Sequence, residues 1–86
     1  MESYKPLQVL VVEDSENDAL LLELELQRAG YEVSCHRVDT KEAMVTALNT
    51  QRWDLIIADY LMPRFNGLEA LSLANARELD VQVIIV

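Results

Sequence analysis

The chain has 86 residues, and 51% of them are hydrophobic, so it is large enough for one small domain and too apolar for a disordered segment. Its 15 acidic residues against 7 Lys and Arg give a formal net charge of −8. This balance disfavours nucleic-acid binding, which needs Lys and Arg to neutralise phosphates, and favours a cationic ligand or a basic partner surface.

Cysteine content and apolar runs bear on the compartment and on membranes. Cys35 is the only cysteine, so no internal disulfide can form, which suits a reducing cytosol. Residues 1–7 carry no apolar signal core, and no apolar run approaches the length of a membrane span. We therefore expect a cytoplasmic domain without a membrane span.

The first half of the chain predicts two strands around one helix. Residues 7–12, "LQVLVV", are apolar on both faces, as in a buried parallel strand. Ser15 and Asp18 have the spacing of a capping box, so a helix should begin there and end at Gly30. Residues 31–38, "YEVSCHRV", alternate and are more polar, which predicts an edge strand. The residues of the helix predicted to face the core are Leu22, Leu26 and Ala29.

The second half predicts two more helices and two more strands. Thr40 should cap a helix that runs to about Thr50. Residues 54–58, "DLIIA", predict a third buried strand, and Asn66 should cap a third helix. Residues 81–86, "VQVIIV", predict a fourth strand. The residues predicted to face the core are Ala43, Met44, Ala47 and Leu48 on the second helix, and Leu68 and Leu71 on the third.

The order of these elements, β-α-β-α-β-α-β, is typical of an α/β fold with one parallel sheet and helices on both faces. Residues 81–86 stay apolar up to the last position, and a natural domain rarely ends on a bare hydrophobic strand. We therefore expect residues 1–86 to be the N-terminal portion of a single longer domain.

Acidic residues follow two of the predicted buried strands. Glu13 and Asp14 come directly after the first strand, and Asp59 comes after the third. Ligands of parallel sheets bind beyond the carboxyl ends of the strands, so three carboxylates converge if these two strands are neighbours. Their mutual repulsion favours a divalent cation, and carboxylate oxygens suit Mg²⁺. Asp59 could then act as a nucleophile and form an aspartyl phosphate.

Three segments, "VLVVEDS", "DLIIADY" and "LMPRFNGLEAL", together resemble the receiver domain of bacterial two-component response regulators. The resemblance implies a flavodoxin-like fold with strand order 2-1-3-4-5, of which this sequence covers four strands. It implies that Asp59 accepts phosphate from a phosphohistidine on a sensor histidine kinase or a phosphotransfer protein. It also implies Mg²⁺ binding by Glu13 or Asp14, by Asp59 and by the main-chain carbonyl of Leu61. Such a domain is a signalling module and not an enzyme in the usual sense.

Other functions are left open by the residues that the sequence lacks. The family places a Ser or Thr after strand four and a Lys after strand five, both beyond residue 86. The alternative is therefore a protein-interaction fragment that works without phosphorylation. A phosphatase of the haloacid-dehalogenase type would use an Asp-x-Asp spacing, whereas Glu13 and Asp14 are adjacent. A Rossmann domain would need a glycine-rich loop, and the only glycines are Gly30 and Gly67.

Some residues are better explained by packing or by self-association than by chemistry. His36 is interpreted as a surface residue of the edge strand, Cys35 as a partly buried small side chain, and Trp53 as packing at the start of strand three. Two further leucines of the first helix, Leu20 and Leu24, fall outside its core stripe. With the apolar fourth strand at a sheet edge, they lead us to expect a homo-oligomer, most simply a dimer.

Overall fold

A computed structural model of the protein describes residues 5–63, 65–77 and 81–86. Arg64, within the third quoted segment, lies outside the described residues. The predicted alternation of strands and helices is confirmed, and the described element bounds differ from the predicted ones by a few residues. The elements are β1 (Lys5–Val12), α1 (Glu16–Arg28), β2 (Tyr31–Val38), α2 (Lys41–Thr50), β3 (Leu55–Ala58), α3 (Gly67–Ala76) and β4 (Gln82–Ile85).

The four strands form one parallel sheet in the order β2-β1-β3-β4. The α/β, flavodoxin-like prediction is thereby confirmed, and so is the position of β2 at an edge. In the register of the sheet, Val12 at the end of β1 pairs with Val38 of β2 and with Ala58 of β3. The carboxyl ends of these three strands therefore lie level with one another.

Helices cover both faces of the sheet because side chains of successive strand residues point to opposite faces. On one face, Leu10 and Ile56 pack with Met44 of α2 and Ala74 of α3. On the other face, Val9, Val11 and Ile57 pack with Ala19 of α1. None of the described helices is long and apolar enough to cross a membrane.

The three predicted N-caps are all present. The Ser15 hydroxyl accepts a hydrogen bond from the Asp18 amide at 3.2 Å, and the Thr40 hydroxyl accepts one from the Ala43 amide at 3.1 Å. The predicted reciprocal box at Ser15 is wrong, because the Ser15 amide donates to the Glu13 carboxylate instead. The reciprocal arrangement occurs at the start of α3, between Asn66 and Glu69.

Two of the predicted core positions are wrong. Ala29 is exposed at the end of α1, and Leu68 is 50% exposed on α3. The buried residues of α3 are Gly67, Ala70 and Ala74. The beginning of α3 approaches the sheet closely, since a Cβ added to Gly67 would lie 2.9 Å from Cγ2 of Ile85. The contact face of α3 is therefore formed largely by small residues, which hydrophobic periodicity alone does not predict.

Candidate functional site

The ends of β1 and β3 position the acidic residues of the site. The Asp59 amide donates to the Val12 carbonyl at 2.9 Å, which extends the β1–β3 ladder by one bond. The Glu13 amide donates to the Val38 carbonyl at 3.0 Å in the same way toward β2. Backbone hydrogen bonds thus hold Glu13 and Asp59 at the same end of the sheet.

The structure brings the three predicted carboxylates together. Carboxylate oxygens of Glu13, Asp14 and Asp59 lie within 4.8 Å of one another. Glu13 is buried, Asp59 is half-buried and Asp14 is exposed. The convergence expected from the sequence is therefore confirmed, while the role of these residues as metal ligands stays a prediction.

Glu13 is the most constrained of the three. Its Oε2 accepts a hydrogen bond from the Ser15 amide at 3.0 Å. The pKa of the Glu13 carboxyl is raised to about 7. Burial is the largest cause, the Asp14 and Asp59 carboxylates add to the rise, and the hydrogen bond from the Ser15 amide opposes it. In the absence of a cation, Glu13 therefore carries a proton for part of the time near neutral pH.

Asp59 is oriented by the loop that follows it. Its Oδ1 accepts a hydrogen bond from the Leu61 amide at 2.9 Å. The Tyr60 amide donates to the Val86 carbonyl at 2.9 Å, which ties the same loop to the end of β4. The Leu61 side chain is 81% exposed, and the proposed metal-binding role of its main-chain carbonyl stays a prediction.

The chemistry of these donors fits a small hard cation. In the part of the chain that the structure describes, no salt bridge involves any of the three carboxylates. Three oxygen donors without a basic partner are the ligands that Mg²⁺ prefers. A groove of about 300 Å³ lies beside Glu13 and Asp59, and its other walls come from α1 and Val86. The three carboxylates can therefore hold a divalent cation.

One residue beside the site was missed in the sequence. Nη1 of Arg37, in β2, donates to the main-chain carbonyl of Glu13 at 3.1 Å. The register pairs Arg37 with Val11, which packs on the α1 face of the sheet. Strand alternation could have placed Arg37 on that face next to the start of α1, although no motif marks it.

The three residues interpreted as lying outside the site, His36, Cys35 and Trp53, have the burial expected of them. His36 is exposed on β2 and stacks on Trp53, with 6.0 Å between the ring centroids. Nε1 of Trp53 donates to the Ala47 carbonyl at 3.0 Å. Cys35 is half-buried, and burial, with a smaller effect of the Glu23 charge, raises the pKa of its thiol to about 11.

Comparison with known proteins agrees with this geometry. Residues 9–86 match the family described as the response regulator receiver domain. The chain is 44% identical over 62 residues to the response regulator ArlR of Staphylococcus aureus, and 41% identical over 61 residues to ArlR of Staphylococcus saprophyticus. These alignments cover 72% and 71% of this chain but only 27% of each relative, so the chain spans about a quarter of their length.

Two solved structures are similar in fold. The signal receiver domain of a signal transduction histidine kinase from Syntrophus aciditrophicus has a TM-score of 0.76 and 33% identity. That match covers 93% of this chain and 61% of the other. The receiver domain of the Francisella response regulator 1452 has a TM-score of 0.74 at 23% identity, over 92% and 64% of the two chains, and supports the fold alone.

Proposed function

Because the chain belongs to the response regulator receiver domain family, we propose that it accepts a phosphoryl group on the carboxylate of Asp59 in two-component signalling. The donor is a phosphohistidine on a sensor histidine kinase or a phosphotransfer protein. The observation that carries the proposal is the approach of Glu13, Asp14 and Asp59 to within 4.8 Å at the carboxyl ends of β1 and β3.

Each residue of the proposed site has a role in the phosphoryl transfer. An oxygen of Asp59 attacks the phosphorus and forms an acyl-phosphate bond, while the N–P bond of the donor breaks and its electron pair returns to the imidazole. The Leu61 amide, 2.9 Å from Oδ1, holds the carboxylate in place during the attack. Candidate ligands for Mg²⁺ are Glu13, Asp14, Asp59 and the main-chain carbonyl of Leu61. Mg²⁺ bound there would neutralise charge on the transferring oxygens.

A small acyl phosphate with Mg²⁺ tests the phosphoacceptor directly. We expect a mass increase of one phosphoryl group, mapped to Asp59 by peptide analysis and absent from Asp59→Asn. Asp18→Asn is the matched control, because it removes an exposed carboxylate from the same groove without touching the proposed nucleophile. A phosphoryl group that maps elsewhere, or that persists in Asp59→Asn, would refute the assignment.

The alternative, an interaction fragment that works without phosphorylation, has less support, because the acidic residues needed for the transfer are present and assembled. Beryllofluoride, which mimics a bound phosphoryl group, distinguishes the two. A receiver should show amide NMR shifts around Asp59, beyond those that Mg²⁺ alone causes, when beryllofluoride is added to the Mg²⁺-bound chain. An interaction fragment should show none.

Other expected partners are part of the same proposal. A basic partner surface would complement the net charge of −8, and a cytoplasmic location suits the lone thiol of Cys35. Self-association would bury Leu20 and Leu24, which are 52% and 42% exposed on α1. Sedimentation at several concentrations tests self-association, and a chain that stays monomeric at all of them would exclude it. A dimer that persists in Leu20→Ser with Leu24→Ser would exclude a dimer through α1.

A further inference from the structure

The guanidinium of Arg37 contacts Glu13, Glu16 and Asp39. Its Nη1 lies 3.1 Å from the main-chain oxygen of Glu13 and 3.8 Å from Oδ2 of Asp39. Its Nη2 lies 3.5 Å from Oε2 of Glu16, the first residue of α1. The side chain is only 30% exposed, whereas that of Glu16 is 84% exposed. The contact with the Glu13 carbonyl is therefore the better shielded of the three, and the two ion pairs are screened by water.

The Glu13 carbonyl belongs to the peptide that leads directly into Asp14. Because a peptide unit is planar, fixing the direction of this carbonyl also fixes the plane from which the Asp14 backbone continues. The Glu13 amide is held separately by the Val38 carbonyl, and the Glu13 carboxylate by the Ser15 amide. Arg37 adds a further restraint on this turn, at the peptide between the two acidic residues.

We propose that Arg37 is a positioning residue, which holds the turn at Glu13 and Asp14 so that both carboxylates face Asp59 and a divalent cation. The proposal rests on the proposed function, because it assigns Arg37 a task in the cation site of a receiver. Arg37 contacts the backbone of Glu13 and is not itself a ligand.

The sign of the effect distinguishes positioning from charge. A guanidinium near a cation site repels the cation, so if Arg37 acted only through its charge, its removal would tighten Mg²⁺ binding. If it positions Glu13 and Asp14, its removal weakens binding even though the site becomes more negative. Mutation of a residue that hydrogen-bonds to metal ligands and orients them typically lowers metal affinity by a factor of about 10 to 100.

Mg²⁺ titrations followed by amide NMR shifts test the proposal on the whole chain. We expect Arg37→Gln to weaken Mg²⁺ binding about tenfold. Arg28→Gln is the matched control, because it removes the same charge from an exposed ion pair with Glu25 at the far end of α1. Binding in Arg37→Gln that equals or exceeds that of the control would overturn the proposal.

Arg37→Lys covers the case in which Arg37→Gln fails to fold. It keeps the charge but replaces the planar fork with a single ammonium group, which cannot reproduce the same set of contacts. We expect weaker Mg²⁺ binding than in the natural chain, with a smaller loss than in Arg37→Gln. Because the charge is unchanged, wild-type affinity in Arg37→Lys would show that positioning by the guanidinium is not needed.

Hydrogen exchange without metal separates failure of this proposal from failure of the proposed function. The amides of Glu13 and Ser15 should exchange about fivefold faster in Arg37→Gln than in Arg28→Gln, as expected for loss of one hydrogen bond. If the natural chain shows no Mg²⁺ response, the cation site of the proposed function is wrong, and exchange alone then decides whether Arg37 holds the turn. Unchanged exchange at both amides would overturn its positioning role.

Discussion

The Asp59 amide donates a hydrogen bond to the carbonyl of Val12 at 2.9 Å. Glu13 is the residue after Val12, so this backbone contact holds two acidic residues side by side whatever their charges. The β1–β3 ladder, which is stabilised by the buried cores on both faces of the sheet, therefore supports a cluster of like charges. A fold that imposes such repulsion should be less stable when the cluster is fully ionised and no cation is bound.

Glu13→Gln tests whether ionisation of the acidic cluster lowers the free energy of unfolding. The pKa of Glu13 is about 7 in the folded chain against an ordinary value of 4.5, so the folded state binds the proton more tightly than the unfolded state. The contribution of Glu13 to stability is therefore full at low pH and is lost as pH rises from about 4.5 to about 7. We expect Glu13→Gln, which is neutral throughout, to flatten this slope and to stabilise the metal-free chain above neutral pH by up to about 3 kcal/mol.

The measurement is urea unfolding across this pH range in a chelating buffer. Glu32→Gln on β2 is the control, because it removes one exposed acidic group away from the cluster. If the free energy of unfolding has the same pH slope in the natural chain and in Glu13→Gln, ionisation of Glu13 does not destabilise the fold. Saturating Mg²⁺ should remove most of the difference between the two at neutral pH, because a cation bound at the proposed site would stabilise the ionised cluster.

A second prediction concerns the start of α3, which follows the loop from Asp59. Asn66 and Glu69 form a reciprocal capping box, with hydrogen bonds of 3.0 and 3.1 Å. Asn66→Ala should lower the free energy of unfolding by about 1 kcal/mol, because it leaves the Glu69 amide without its cap. Asn75→Ala, at an exposed position in the last turn of the same helix, is the control. Equal effects of the two substitutions in thermal unfolding would show that the cap contributes nothing.

The elements were predictable because each has a strong local signal. The buried strand at Val9 and Val11 is an unbroken apolar run, and Thr40 and Asn66 are good N-caps at the starts of apolar periodicity. The acidic cluster followed from the fold, because residues after neighbouring parallel strands meet at one end of the sheet. Periodicity, caps and connection rules were enough to predict the elements. The resemblance to receiver domains implied that β1 and β3 are neighbours, and the convergence of the carboxylates depended on that.

The features that were predicted wrongly or missed depend on tertiary contacts. Leu68 is exposed and Ala70 is buried, because the width of the gap between α3 and the sheet decides which residues fit, and this gap is a tertiary property. The contact of Arg37 with Glu13 joins residues 24 positions apart, so no local pattern shows it. The Ser15 amide donates its hydrogen bond to the Glu13 carboxylate and not to that of Asp18, since the buried Glu13 carboxylate lies nearby and competes for it.

A third prediction tests the close approach of α3. A Cβ at position 67 would lie 2.9 Å from Cγ2 of Ile85 and 3.3 Å from the main-chain oxygen of Asp59. Gly67→Ala should therefore destabilise the fold by about 1–3 kcal/mol, although alanine favours a helix interior over glycine. Ser72→Ala on the exposed side of α3 is the control. NMR shifts at Asp59 should accompany the loss, and a more stable Gly67→Ala protein would mean that α3 can move away freely.

The last prediction concerns Cys35, whose thiol is interpreted as inert. Burial, followed by the Glu23 charge, raises the pKa of the Cys35 thiol from 9.0 to about 11. Because only the thiolate reacts with alkylating agents, a rise of two pKa units lowers the reactive fraction at about pH 8 roughly 100-fold. We expect iodoacetamide to modify the folded chain about 100 times more slowly than the urea-unfolded chain, with a reaction rate that still rises with pH above about 9.

Two substitutions of acidic residues test the cause of the raised pKa. Glu23→Gln should speed the reaction modestly by removing the smaller contribution to the pKa of Cys35. Glu32→Gln is the control, because the Glu32 side chain is exposed on β2, and it should leave the rate unchanged. Mass spectrometry of timed samples gives the rates. A folded chain that reacts as fast as the unfolded one would show that Cys35 is an accessible thiolate and that its interpretation as a packing residue is wrong.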